Sequence, residues 1–189
     1  MSEVQRLNVG YPGGLAARYR WGGADAADEV FALSESGGEL TDHATLAGTP
    51  GTRMCRAELR VEGPLGSWTA RFASPVFDEP AGMLWDTEAL LLVKYGFRAY
   101  ALGGRTGELR WSHLSGTPIV AILGSSRLAH VIVQSEVETV ALGAQGEVRW
   151  RLAHSDVIAD AQLLGGKLTL ASYGGDVAAF DATSGRALR

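Results

Sequence analysis

A repeat of about 39 residues constrains the fold of this chain more than any other feature of its sequence. The repeat is marked by one glycine in each of three units and by a tryptophan four residues later in two of them: Gly107, Gly146, Gly185, Trp111 and Trp150. Successive members of each series are one repeat length apart, and Arg189 takes the third tryptophan position. A period of this length is typical of chains that stack one supersecondary unit on the next.

Each unit contains the pattern of four short strands. In the first clear unit, apolar stretches at Met83–Trp85 and Ala89–Val93 precede two alternating stretches, Phe97–Leu102 and Glu108–Trp111, with glycine in the turns. Alternation with a period of two, interrupted by glycine, predicts antiparallel strands. Four such strands in about 40 residues are typical of a β-propeller blade. A β-sandwich also has short strands and regular turns, but it does not require the repeated Gly-x-x-x-Trp.

The motif at the third turn of each unit carries a family resemblance. Ala101–Trp111 resembles the tryptophan-docking repeat of the quinoprotein-type (PQQ-like) β-propellers, written A-x-D-x-x-T-G-x-x-x-W. Ala179–Gly185 is similar to its first half with Asp181 in place, and Ala141–Trp150 is similar with one residue fewer in the turn. The resemblance implies an all-β fold, a small or partial propeller built from four-stranded antiparallel blades of about 39 residues.

The resemblance also implies roles for the marker residues. Tryptophans such as Trp111 and Trp150 dock between neighbouring blades, the glycines and Asp181 shape the turns, and none of these residues is catalytic. Quinoprotein dehydrogenases use eight blades and a funnel that holds PQQ and calcium, and this chain has too few blades and one cysteine. We therefore expect a non-enzymatic member of the family without a cofactor.

The N-terminal part of the chain, residues 1–80, follows the repeat less regularly. Residues 30–40 resemble a weak earlier copy of the motif, with Asp42 at the tryptophan position. Strands are predicted at Leu15–Trp21, Glu29–Leu33, Arg53–Val61 and Ser67–Ala73, and loops at Gly22–Asp28 and Thr45–Thr52. We expect residues 1–80 to form a degenerate blade plus irregular β-hairpins. Residues 81–189 are expected to form three clear propeller blades within one continuous domain.

The length allows at most four or five blades, so how the ring closes is open. A small closed ring, an open half-propeller that dimerises through its blade edges, and a piece of a longer chain all fit 189 residues. We expect a closed ring in which the N-terminal strands cover the last edge, because uncovered strand edges invite pairing with other chains.

Charge and composition restrict the partners. Seventeen Lys and Arg against 21 Asp and Glu give a net charge of −4, which argues against nucleic acid as a partner. The single cysteine excludes a disulfide framework and a multi-cysteine zinc site. No signal sequence or membrane span is recognisable, so the sequence predicts a cytoplasmic protein that does not contact membranes.

No set of polar residues forms an enzyme-like motif. The candidates are His43, His113, His130, His154, Asp86, Asp156, Asp160, Cys55, Ser125 and Ser126. His113 and His154 follow the two docking tryptophans at unequal offsets, and the aspartates lie near strand starts, where turn-capping is expected. His130 and Cys55 are expected in the core, and no metal site is predicted.

Two functions of different classes remain. The first is a non-catalytic binding protein that uses a propeller-like surface for protein–protein interaction, in one version an immunity or inhibitor-type protein. The alternative is a carbohydrate or small-ligand binder (lectin-like), in which loop aromatics stack on the ligand: Tyr11, Trp85, Tyr95 and Tyr173.

Overall fold

The computed structural model describes residues 3–26, 40–43 and 54–189, and within these ranges the chain is built almost entirely of β-strands. The strands are β1 (Gln5–Tyr11), β2 (Leu15–Gly22), β3 (Leu40–His43), β4 (Cys55–Gly63), β5 (Gly66–Ser74), β6 (Ala81–Trp85), β7 (Leu90–Tyr95), β8 (Arg98–Gly103), β9 (Leu109–Leu114), β10 (Ile119–Leu123), β11 (Val131–Ser135), β12 (Glu138–Leu142), β13 (Val148–Ala153), β14 (Ile158–Leu164), β15 (Lys167–Ser172) and β16 (Val177–Asp181). Two 3₁₀ turns lie at Ala24–Ala26 and Asp86–Glu88.

The first sheet combines strands from both sides of the undescribed segments, in the spatial order β1-β2-β4-β5-β3. β1, β2, β4 and β5 pair antiparallel, and β3 pairs with β5 in parallel. The parallel edge strand was not predicted. The expected strand at Glu29–Leu33, the loop at Thr45–Thr52 and most of the weak repeat lie outside the described residues.

Three further sheets follow, each antiparallel and each in simple sequential order. They comprise β6–β9, β10–β13 and β14–β16, and we call them blade 1, blade 2 and blade 3. The all-β architecture of propeller-like blades is therefore confirmed. Blade 3 has three full strands, and a single isolated bridge between Phe180 and Ala187 marks the fourth position.

The first strands of blade 2 and blade 3 carry a β-bulge at equivalent positions of the repeat. β10 carries a bulge between Ile119 and Ala121, and β14 carries one between Ile158 and Asp160, one repeat length further on. Bulges bend a strand and increase its twist, so their recurrence gives both blades the same shape.

Apolar side chains fill the three spaces between the successive sheets. One cluster joins the first sheet to blade 1, one joins blade 1 to blade 2, and one joins blade 2 to blade 3. β7 and β11 are buried along their whole length because both of their faces are covered. Alternate residues of each central strand therefore point into different clusters.

The outer face of blade 3 has no covering sheet among the described residues. No hydrophobic cluster joins β14–β16 to the first sheet. Leu164 and Val177, on this blade, are 84% and 68% exposed. The described N-terminal strands therefore do not provide the expected ring closure, and the four described sheets form an open series.

Candidate functional site

Trp111 lies between blade 1 and blade 2. It is on β9 and contacts the turn of blade 2 at Gly146, whose φ is +82°. A Cβ atom on Gly146 would come 2.9 Å from Trp111 Cγ, so the indole requires glycine there. Trp111 Nε1 donates a hydrogen bond to the Ala144 carbonyl at 2.9 Å.

Trp150 occupies the same place between blade 2 and blade 3, with a different polar arrangement. A Cβ atom on Gly185, where φ is +70°, would come 2.7 Å from Trp150 Cε3. Trp150 Nε1 is buried and has no hydrogen-bond partner. His130 Nε2 lies 2.8 Å from the Ala182 carbonyl, and its ring meets Trp150 edge-on at 5.9 Å. A carbonyl only accepts, so Nε2 of His130 carries the proton.

A third tryptophan, which the sequence reasoning missed, docks between the first sheet and blade 1. Trp68 is 3% exposed on β5, and its Nε1 donates to the Gly104 carbonyl at 3.0 Å. A Cβ atom on Gly107, where φ is +70°, would come 2.5 Å from Trp68 Cε3. The available signal was a glycine turn at residues 63–66 followed at once by Trp68.

The turn that carries each docking glycine is stabilised in a blade-specific way. Asp181 Oδ1 accepts hydrogen bonds from Ser184 N and Ser184 Oγ, both at 2.8 Å. These bonds lower the pKa of Asp181. Blade 2 has Gly143 in the place of Asp181, and there Glu147 Oε2 accepts from the Gln145 amide at 3.1 Å. The carboxylate therefore comes from the other side of the turn.

The carboxylates expected near strand starts do not converge on one site. Asp160 accepts from Gln162 Nε2 at 2.9 Å, and Asp86 begins a 3₁₀ turn. Asp156 accepts from the Gly174 amide at 2.9 Å and from the Val157 amide at 2.7 Å. It therefore fixes the loop between β15 and β16 to the start of β14.

Asp78, which the sequence reasoning did not single out, is the counterpart of Asp156 in blade 1. It lies two repeat lengths earlier in the sequence and accepts from the Gly96 amide at 2.8 Å. It also pairs with Lys94 Nζ through both oxygens at 2.9 Å. Position 117, one repeat after Asp78, is a threonine whose buried hydroxyl has no partner.

The histidines do not form a pair. His154 Nε2 lies 2.6 Å from Thr139 Oγ1, which donates to Gln134 Oε1 at 2.5 Å. Burial lowers the pKa of both His113 and His154. His43 lies on β3, and nothing is described of its side chain.

The remaining candidates are structural or widely separated. Cys55 is buried, and burial raises the pKa of its thiol. Ser125 Oγ accepts from the Arg127 amide at 3.2 Å within a turn. The expected exposed aromatics hold for Tyr173, at 78% exposure, but Tyr95 at 0% and Trp85 at 6% are buried. The described residues therefore do not present an exposed aromatic side chain at the same place on every blade.

Two of the surface cavities that the described residues line bear on a candidate site. The larger, about 390 Å³, lies between the first sheet and blade 1, with Trp68, Leu84 and Asp86 among its lining residues. The smaller, about 220 Å³, lies between the end of β13 and blade 3, with His154 and Asp156 among its lining residues.

The most exposed apolar side chains of the described residues concentrate on blade 3. Leu164, Tyr173 and Val177 are 84%, 78% and 68% exposed, and Leu65 at 73% lies far from them on the β4–β5 turn. Leu164 and Val177 lie at opposite ends of the outer face of blade 3, which also carries Lys167 and Thr169. Exposed apolar side chains on an uncovered sheet offer a partner apolar surface to bury. We call the outer face of blade 3, with Leu164 and Val177 on its strands and Tyr173 in the adjoining loop, the open face.

The four sheets, the docked tryptophans and their glycine turns define a β-propeller-like protein. Residues 96–188 match the family model described as outer membrane protein assembly factor BamB. Residues 96–188 thus carry repeats of the PQQ-like β-propeller kind. None of the curated proteins matches the sequence.

Two solved structures, of BamB and HIRA, show the same fold at low sequence identity. BamB from Moraxella catarrhalis is 13% identical with a TM-score of 0.55, over 99% of this chain and 65% of that one. HIRA(644-1017) is 11% identical with a TM-score of 0.52, over 100% of this chain and 53% of that one. The designed protein Ika4 is 14% identical with a TM-score of 0.49, over 53% of this chain and 65% of that one. The chain thus spans less than two thirds of each structure. No helix in the described ranges is long and apolar enough to cross a membrane.

Proposed function

We propose that this chain is a non-catalytic binding protein that contacts another protein through the open face of blade 3. The observation that carries the proposal is the exposure of Leu164 and Val177, at 84% and 68%, on blade 3. The central strands of blades 1 and 2, by contrast, are covered on both faces. Such side chains gain about 25 cal/mol for each Å² of apolar surface that a partner removes from water.

A quantitative pull-down tests the proposal. The wild-type chain, Leu164→Ser with Val177→Ser, and Leu65→Ser as a matched control are used as baits in lysate from the source organism. Leu65 is equally apolar and 73% exposed, but it lies on the β4–β5 turn. We expect one partner to be lost with the blade 3 variant and kept with the control. Equal capture by all three baits would reject the open face as the interface.

A finer version of this proposal is an immunity or inhibitor-type protein that caps a toxin enzyme. The net charge of −4 supports a partner with a basic surface. The test is co-expression with an enzyme encoded beside this gene. Stable co-purification with loss of that enzyme's activity is expected, and an enzyme that stays fully active in the mixture would contradict this version.

A homodimer through an open blade edge is a second version, because uncovered strand edges invite pairing with another copy. Light-scattering mass measured over a hundredfold concentration range distinguishes the two. A concentration-dependent dimer supports self-association, and a constant monomer mass rejects it.

A further inference from the structure

The smaller cavity arises from one substitution in the repeat. Tyr100, Val140 and Ala178 are equivalent positions, because they pair with Val93, Val133 and Leu170 on the neighbouring strand of their blades. Tyr100 and Val140 are buried at 2% and 1% exposure. Tyr100 fills space between the first sheet and blade 1, and Val140 fills space between blade 1 and blade 2. Ala178 is too small to do so, and the cavity of about 220 Å³ remains at that place.

Hydrogen-bond acceptors dominate the polar lining of this cavity. The charged or titratable residues that line it are His154, Asp156 and Asp176, and the lining contains neither lysine nor arginine. Asp156 is held in place by the Gly174 and Val157 amides and by the Ser172 side chain, whereas Asp176 lines the cavity from the loop before β16. Two carboxylates without a cation favour a positively charged occupant.

The histidine in the lining does not oppose such an occupant. Thr139 gives its proton to Gln134, so it accepts from Nε2–H of His154. Burial lowers the pKa of His154, which disfavours the positively charged ring. Phe180, whose ring lies 6.4 Å from the His154 ring, adds an aromatic wall. A guanidinium stacks on aromatic rings and binds carboxylates through two parallel hydrogen bonds.

We propose that the cavity between β13 and blade 3 receives an arginine side chain of the protein partner. This inference rests on the proposed protein-binding function and names the chemistry that the partner presents to the covered side of blade 3, at the opening of the cavity. A single side chain suits a cavity of about 220 Å³, which is smaller than the roughly 300–1,000 Å³ typical of drug-sized ligands.

The test uses small probes, so that it does not depend on finding the partner. Nitrogen-15-labelled protein is titrated at constant ionic strength with N-acetyl-arginine amide, and with the citrulline analogue as a neutral isostere. Saturable shifts of the Gly174 and Val157 amide signals are expected with the arginine probe, and binding at least tenfold weaker with citrulline. Equal binding of both probes, preference for the lysine analogue, or saturation by Ca²⁺ or Zn²⁺ alone would overturn the proposal.

Variants locate the binding. Asp176→Asn should lower the affinity for the arginine probe at least fivefold. Asp160→Asn, on the same sheet but outside the cavity lining, should leave that affinity unchanged. Ala178→Tyr places a ring in the cavity, as Tyr100 does in the space between the first sheet and blade 1, and should abolish binding while the fold is retained. Equal effects of the two aspartate variants would reject the site.

The partner itself is tested separately. If Asp176→Asn reduces capture of the partner in the pull-down, the arginine belongs to that partner. If the probe binds but capture is unchanged, the cavity takes a free cation and the inference about the partner is wrong. Loss of capture only on changing Leu164 and Val177 would leave the proposed function intact and reject this inference.

Discussion

Trp111 and Trp150 occupy equivalent positions, but one of the two indole N–H groups has an acceptor and the other has none. Trp111 donates to Ala144, whereas the carbonyl that corresponds to it at Trp150, that of Ala182, accepts from His130 instead. We propose that both rings act as docking residues between blades. Their hydrogen-bond contributions should nevertheless differ.

Trp111→Phe should lower the free energy of unfolding by about 1 kcal/mol more than Trp150→Phe, because only the former loses a hydrogen bond. Replacement by alanine should cost about 3–5 kcal/mol at either site, since the packing is similar. Urea denaturation measures both differences. Equal losses for the two phenylalanine variants would contradict the assigned bonds, and an alanine cost below about 1 kcal/mol would contradict docking.

At the scale of the elements, the loops that start blades 1 and 3 depend on one carboxylate each. In blade 1, Asp78 pairs with Lys94, whose side chain is 11% exposed, and it also accepts from the Gly96 amide. In blade 3, Asp156 makes the amide contact without a lysine, because Ser172 lies two repeat lengths after Lys94 and hydrogen-bonds Asp156 in its place.

Asp78→Asn should therefore destabilise the protein more than Asp156→Asn does. The first variant leaves a nearly buried ammonium group with a neutral partner, which costs about 2 kcal/mol. The second removes an exposed charge, for which a smaller loss is expected. The comparison is made by chemical denaturation at pH 7. A greater loss for Asp156→Asn would show that the lysine pair does not stabilise blade 1.

The contact between β13 and blade 3 should be sensitive to acid. The folded state lowers the pKa of His154, so the unfolded chain binds the proton more readily. Stability is then complete above the unfolded pKa of about 6.5 and declines as the pH falls below it. His154→Gln should show a smaller difference in free energy of unfolding between pH 7.5 and pH 5.5 than the wild type. An unchanged difference would mean that His154 does not contribute.

The elements that repeat could be predicted from the sequence, and those that do not repeat could not. The alternating stretches of blades 1 and 2 became strands because each alternate side chain enters a different apolar cluster. Trp68 was missed because its turn lacks the four-residue spacing of Gly107 and Trp111. The parallel pairing of β3 depends on distant residues and has no local signal.

The candidate site was less predictable than the fold. Its cavity depends on the small side chain of Ala178, and an alanine within a strand gives no sequence signal for a cavity. Its charged lining combines Asp156 and Asp176, which are separated in the sequence by two whole strands and meet only when β14 and β15 pair. The sequence did single out His154 and Asp156, but as separate residues.

At the scale of the whole molecule, stability should be distributed unevenly along the chain. We propose that residues 1–80 and 81–189 act as one continuous domain, because a single apolar cluster contains residues of β4 and β5 together with β7 and β8. In a linear series of sheets, each sheet is stabilised by its own contacts and by those with its nearest neighbours.

The open face of blade 3 has a consequence for the order in which the molecule comes apart. Blade 3 has one neighbouring sheet, three full strands and a cavity on its covered side, whereas blade 2 has neighbours on both sides. Local opening events begin where the fewest contacts are broken. Hydrogen–deuterium exchange should therefore be fastest in β16 and β15 and slowest in β7 and β11. If β7 exchanged before β15, the series would not open from this end.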